Sequence, residues 1–486
     1  MKRVKIGWAT RDVTTTEPVG IPGQFHLRIS EGVLDPLTVT ALVVDGGDDT
    51  AIFLSADLVV IRSFLLDLVR EKVARLNPEI PVLKILMNAT HTHTGGDHYT
   101  SGSDDFPCDL PRYSGDEYRE LLATGCAEAV AEAWATRAPG GVAWGYGYAV
   151  VSYSRRVVYF DDVSQRPGAT RDSAAGVNGH ARMYGNTNDP MFSHYEAGAD
   201  HFVNLLFTFD AENRLTGAIV NVPCPSQVSE HLWQLSADYW HDVRLAIRKQ
   251  FGNIFILPQC AAAGDLSPHI LHYKKALERR LALKGMSERQ DIAERITTAF
   301  AEVYSWARND VRTEVPVRHA VETVELSRRR ITEDEFEEDS RMLEEFNKKQ
   351  FATEGTPKER LIHDSFLSAL RKRAQGVIDR YRTQDANPKL PMELHVIRIG
   401  GVAFASNRFE LYMDYMHRIQ ARSPFEQTFV VQLAGVPGPD GGTYLPTERA
   451  VWGKGYGASR YCNQVGPEGG QELVEHTLRL LNGVKD

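Results

Sequence analysis

Residues 87 to 99 read MNATHTHTGGDHY, directly after the apolar run PVLKILM at 81–87. That run has the composition of a short buried strand. If the strand continues through Thr90, alternation sends His91 and His93 to the same side. Gly95 and Gly96 then break it and let the backbone turn. The chain must fold so that two imidazoles stand together at the end of a buried strand. Such a pair builds a metal or acid–base site, or is a pair of hydrogen-bonded polar residues closing a strand.

The 486 residues are 42% hydrophobic and carry a formal charge of −9, which allows a large core. By length alone the chain holds roughly two to four domains or one large α/β unit with insertions. No Lys/Arg stripe offsets the acidic balance, and RRR at 328–330 lies beside acidic runs, so no nucleic-acid partner is expected. The start MKRVKIGWATRDVTTT has two basic residues but no apolar stretch behind them, and no segment is apolar for the length of a bilayer. Cys108, Cys126, Cys224, Cys260 and Cys462 are odd in number and irregularly spaced, unlike a disulfide framework. The expectation is a cytoplasmic protein without an integral membrane segment, acting on a small molecule; a homo-oligomer is allowed.

Along the chain, TVTALVVDGGDDTAIFLSADLVVI reads as a hairpin around GGDD, and RSFLLDLVREKVARL and SGDEYRELLATGCAEAVAEAWATR as helices. FVNLLFTFD and LTGAIVNVP form strands around AENR, and FGNIFILPQC is another. A charged, mostly helical stretch runs from about 271 to 382, with Thr332 and Glu335 spaced as a capping box. Strands return in ELHVIRIGGVAFAS and TFVVQLAG. No sequence repeat or low-complexity linker is present. This order predicts one mixed α/β (α+β) domain over 1–486 with a helical excursion at 271–382.

Five loop segments place polar residues at the ends of apolar runs, where sites concentrate. They are THTHTGGDH; NVPCPSQVSEHLWQLSADYW, with Cys224 between prolines; PQCAAAGDLSPH, with Asp265, Ser267 and His269; ASNRFELYMDYMHRI, with Glu410; and GPDGGTYLPTERAVWGKGYGA, with Tyr444 and Tyr456. Each has an ordinary structural reading: a buried Cys is a small hydrophobe, Ser and Asp cap turns, and a Glu at a helix start meets the dipole.

Together, and in this order, they resemble the neutral ceramidase family. The resemblance rests on THTHTG at 90–95, CPSQ to LSADYW at 224–240, AGDLSP at 263–268, the Glu410 segment up to ARSP, and YLPT followed by GYGA. It spans nearly the whole chain and implies a ceramidase-like catalytic domain without the family's C-terminal β-sandwich. It further implies a zinc-dependent hydrolase in which the metal activates water against an amide. His91, Glu410 and Tyr444 would be zinc ligands, His93 the proton-transfer group and Tyr456 a second site tyrosine. Arg155 or Arg156 would supply the family's arginine near the substrate.

Two departures bear on the substrate. Cys224 stands where the family has a histidine and is expected to replace it as a fourth zinc ligand; as a thiolate it would add negative charge and raise the pKa of a metal-held water. His231 and His241 are the nearby substitutes if Cys224 is not a ligand. Arg408-Phe409 replaces the usual Pro-Gly before the glutamate. These changes put long-chain ceramide in doubt, and no amphipathic anchor supports a lipid substrate. Ser267, His194 and Asp97 are candidate substrate contacts, with Glu196 beside His194. Ser267 lacks the strand–elbow–helix setting of a nucleophile, and Asp238 and Asp265 are expected to fix loops. A metallo-β-lactamase-type site is disfavoured because Thr94, Gly95 and Gly96 separate His93 from Asp97-His98. An amidohydrolase barrel is disfavoured because a hairpin and a helix precede the histidine pair. Two alternatives stay open: a metal-dependent lyase or hydrolase on a polar, sugar-like substrate, and a metal-free binding protein on a degenerate ceramidase-like fold.

Overall fold

Runs such as TALVVD and AIFLSA are apolar at consecutive positions, which suits strands buried on both faces. In the computed structural model, which describes residues 3–99, 105–169 and 178–485, such strands form three four-stranded units of one topology. In the first, Lys5–Asp12, Thr38–Asp45 and Thr50–Ala56 run antiparallel in that order, and Ile85–Ala89 joins parallel to Thr50–Ala56. The second repeats this with Gly141–Tyr148, Phe202–Phe209, Leu215–Val222 and the parallel Phe255–Cys260. The third uses Val317–Ser327, Lys389–Ile399, Val402–Ser406 and the parallel Gln427–Val431.

In each unit a helix carries the chain across to the parallel strand: Leu65–Leu76, Tyr239–Phe251 and Met413–Arg422. A second helix then packs on the same outer face: Gly115–Ala135, Glu288–Ala307 and Pro467–Gly483. The inner faces share one core. Leu42 and Phe53 of the first sheet meet Leu206 and Ile219 of the second and Phe404 and Phe429 of the third. The Phe53 and Phe404 rings lie 4.8 Å apart, and those of Phe404 and Phe429 4.3 Å. Topology repeats where sequence does not, because strand burial and crossover length are common to the units while side-chain identities are not.

Insertions at 13–37, 149–201 and 328–388 separate the first and second strands of the units. The expected helical excursion at 271–382 is therefore divided. Lys274–Lys284 and Glu288–Ala307 belong to the second unit, and only Glu333–Lys348 and Pro357–Thr383 are an insertion. Between them, VRHAVETVELS is an eleven-residue strand at the edge of the third sheet. Its charged residues conceal it, because an edge strand can turn them to solvent. Capping boxes at Thr332/Glu335 and Thr356/Glu359 open the two inserted helices, the latter with Pro357 in its first turn. Among the described residues, no helix is long and apolar enough to cross a membrane.

Candidate active site

The carboxyl ends of parallel strands are where α/β sheets place sites, and the segments that follow them here supply the walls of one cavity of about 680 Å³. Val59 and Arg62 follow Ala56; His91 and His93 follow Ala89; Gln227 and Glu230 follow Val222; Glu410 follows Ser406. All three insertions also reach it, through Phe25, Arg155 with Tyr184, and Arg373.

The strand Ile85–Ala89 ends short of the expected Thr90, and His91 adopts a left-handed φ of +65°. A turn, not the pleat, brings the imidazoles together: their Nε2 atoms are 3.5 Å apart and the rings meet edge to face. The glycines act through space as well as turning. A Cβ on Gly96 would lie 2.2 Å from the Tyr118 ring, and one on Gly95 2.9 Å from the Asp57 carbonyl oxygen.

His91 Nδ1 lies 2.7 Å from the Val59 carbonyl, so that nitrogen carries the proton and donates. Its Nε2 faces Glu410 Oε2 at 3.3 Å, an approach that needs a proton or a cation between the two atoms. Backbone pairing sets Glu410 directly beside Tyr444, and Leu411 beside Leu445. Burial alone would raise the Glu410 carboxyl, but His91, Arg155 and Tyr444 bring it below its ordinary value. Burial lifts the Tyr444 phenol well above its own. Arg155 donates to the Gly264 carbonyl at 2.7 Å, approaches Glu410 Oε2 at 4.0 Å and lies 5.2 Å from the centre of the Tyr444 ring. Tyr456 stands edge-on to Tyr444 at 5.4 Å and to Phe25 at 5.1 Å.

Burial, and then the charge of His91, Arg28 and Arg155, holds His93 well below its usual pKa, so it is a neutral imidazole. The Gln227 amide donates to its Nε2 at 2.9 Å, and Glu230 Oε2 stands 3.6 Å from its Nδ1. The latter distance is too long for a hydrogen bond.

The other expected residues are placed differently. Arg156 turns from the cavity and donates to Glu196 at 2.7 Å and to the carbonyls of Tyr456, Lys454 and Ala450. Asp97 lines the cavity. Ser267 is buried behind it, accepting from Tyr184, which does line it. His194 is exposed on the strand Phe192–Tyr195, outside the lining. His231, exposed, and His241, on the helix Tyr239–Phe251, are also outside it. The Cys224 sulfur faces away: it donates to the Val151 carbonyl at 3.2 Å within the core of the second unit, and burial raises its thiol pKa.

Sequence reasoning passed over Gln227, Glu230 and Arg28. The first two stand inside the CPSQVSE segment, at the spacing of one helical turn from each other. Arg28 had no local signal. Fully buried, it donates to the carbonyls of Pro22, His93, Glu230 and Leu232, tying the first insertion to both site loops.

Among the described residues, no three of His, Cys, Asp and Glu are grouped to hold a metal. The donor chemistry nevertheless fits zinc if tyrosine is counted. Two ligands at about 2.0–2.1 Å in a tetrahedral site stand roughly 3.3 Å apart, the separation of His91 Nε2 and Glu410 Oε2. The carbonyl bond at His91 Nδ1 is the usual outer-shell support of a metal-binding imidazole. Tyr444, paired beside Glu410, would be the third donor.

No family model matches the chain, and no curated protein does. Solved structures do. A neutral ceramidase from Pseudomonas aeruginosa superposes with a TM-score of 0.67 at 18% identity, covering 99% of this chain and 75% of that one. A ceramidase complexed with C2 gives a TM-score of 0.66 at 14% identity with the same coverage. A quarter of each ceramidase chain thus has no counterpart here. The chain has the fold of the neutral ceramidases.

Proposed function

We propose that this protein is a zinc-dependent hydrolase of the ceramidase type, cleaving an amide bond with water as the nucleophile. The observation that carries this reading is the pair His91 Nε2 and Glu410 Oε2, held face to face at 3.3 Å with His91 fixed from behind by Val59. Two lone pairs so close need a shared cation or proton between them. His91, Glu410 and Tyr444 would hold zinc. Bound there, the metal supplies a Lewis acid and lowers the pKa of water. Neutral His93 has a nitrogen able to take a proton and return it to the leaving amine. Gln227 orients that ring, and Arg155 and Tyr456 bind the acyl compound beside it. A substrate less apolar than long-chain ceramide suits a cavity lined by Arg62, Asp97, Glu230 and Arg373.

The test is zinc content in wild type, His91→Ala, Glu410→Ala and Cys224→Ala, followed by an amide screen. We expect about one zinc per chain in wild type and Cys224→Ala, and loss in the other two. A wild type that stays metal-free when purified with zinc overturns the reading. It selects instead a metal-free binding protein on the same fold, which the turned-away Cys224 sulfur favours.

A further inference from the structure

One wall of this cavity belongs to the insertion at 328–388, whose helices Glu333–Lys348 and Pro357–Thr383 pack on each other through Phe346, Leu367 and Leu370, a small core of their own. The longer helix lines the cavity with Ser365, Ser368 and Arg373. The two ends of this hairpin are held by bonds of different kinds. At its base, Arg460 of the third unit pairs with Asp339, which is wholly buried, and with Glu338 at 3.0 Å. Arg380 donates to the Arg460 carbonyl at 2.7 Å, and the Phe336 and Tyr381 rings stack at 4.4 Å. Away from the base, Lys358 reaches Glu31 at 2.7 Å, Arg360 reaches Asp109 at 2.5 Å and Lys372 reaches Asp105 at 3.4 Å. These three acids lie on loops of the first unit, and each is more than half exposed. Beside them the Leu27 N–H donates across to Ser365 Oγ at 2.9 Å.

A buried ion pair is costly to break, because the charge left behind stays desolvated. An exposed pair contributes little and is screened by salt. The hairpin is thus fixed to the third unit and only latched to the first. Gly376 lies between the two regions, inside the helix, where glycine is a weaker helix former than alanine. A Cβ there would meet nothing within 4 Å, so packing does not call for a glycine. We infer that the hairpin is a lid that turns about Gly376 and the Arg460 anchor, opening when Lys358, Arg360 and Lys372 leave the acids of the first unit and closing over a ligand in the cavity. Closure of this kind shuts water out of a site. It would serve a hydrolase and a binding protein alike, so the lid stands apart from the hydrolase reading.

The test is hydrogen exchange at the Leu27 amide, read by mass spectrometry on overlapping peptides, since that N–H is held across the gap by Ser365. When reclosing outpaces exchange, the rate follows the open fraction. Raising salt from about 0.05 M to about 0.5 M should speed exchange at Leu27 by about threefold or more, while the core strand Thr50–Ala56 stays unchanged. The double variant Lys358→Gln/Arg360→Gln, at two partly exposed positions, should show that increase at low salt and respond little to added salt. Gly376→Ala, which stiffens the helix and touches nothing, should slow exchange at Leu27 by about threefold. Exchange at Leu27 that ignores both salt and the double variant overturns the lid. So does a double variant in which Glu333–Lys348 speeds up as much as Leu27, because the hairpin then unfolds instead of turning. A rate in Gly376→Ala no slower than in wild type overturns the pivot at that residue.

Discussion

His98 offers a quantitative check on the buried wall of the cavity. It is wholly buried, and burial first, then the charges of Arg62 and Arg119, holds its pKa down to about 3 from the ordinary 6.5. Its Nε2 accepts the backbone N–H of Arg62 at 3.3 Å, so the neutral ring joins the 58–62 and 91–99 loops. A base whose pKa falls on folding contributes stability that is complete above 6.5 and is lost as pH falls towards 3, because only the unfolded chain takes up the proton. At pH 5 the unfolded residue is about 1.5 pH units below its pKa, and at about 1.4 kcal/mol per unit this amounts to about 2 kcal/mol. His98→Gln keeps an acceptor for Arg62 and removes the titration. The assay is urea unfolding of wild type and His98→Gln at pH 7 and pH 5. Between the two pH values wild type should lose about 2 kcal/mol more than the variant. If both lose stability in parallel, His98 is protonated in the folded protein and the dry wall inferred around it is wrong.

Three further outcomes follow from the geometry. Gly23 has φ +104°, and a Cβ there would lie 2.7 Å from the His93 ring; Gly23→Ala should cut kcat by about 100-fold while zinc content, measured in parallel, stays unchanged. Gly96→Ala, driven into Tyr118 at 2.2 Å, should cost about 1–3 kcal/mol, visible as a lower Tm. Arg70 is bidentate to Glu393, at 3.1 and 2.7 Å, and both side chains are about nine-tenths buried; Arg70→Met leaves that carboxylate with His395 alone, 2.8 Å away, and should destabilise by about 3 kcal/mol in urea titrations.

Much of this architecture was legible wherever chemistry and period agreed. Thr38–Asp45 and Thr50–Ala56 pair around the GGDD turn as their apolar runs predict, and Thr332 caps its helix through Glu335. What could not be read depended on residues far apart in sequence. The strand Val317–Ser327 gives a charged pattern because its edge position is a property of the sheet. The choice between Arg155 and Arg156 is invisible in SYSRRVVY, since Arg155 lies in the break between the strands Tyr153–Ser154 and Arg156–Tyr159 and only the fold says which arginine reaches the cavity. Gln227 and Glu230 stood within a segment already singled out, but their value depends on His93, which lies more than a hundred residues earlier.

The three-unit plan also changes the meaning of Cys224. Each unit sends one segment from the end of its third strand, and the second unit's carries Cys224. From sequence, a thiolate ligand in that place would add negative charge and weaken the metal as a Lewis acid. With the sulfur turned onto the Val151 carbonyl among Val222, Tyr239 and Trp240, and its pKa raised by burial, it stays a thiol and packs as a small hydrophobe. The donors that would remain for a metal are an imidazole, a phenol and one carboxylate. That set would carry less negative charge than one including a thiolate and would leave a stronger Lewis acid. On the proposed function, the second unit would contribute to the chemistry through Gln227 and Glu230, beside His93, and not through a metal ligand. Substitution at Cys224 should accordingly be felt in stability before it is felt in zinc content, the opposite of its effect if the sulfur were a ligand.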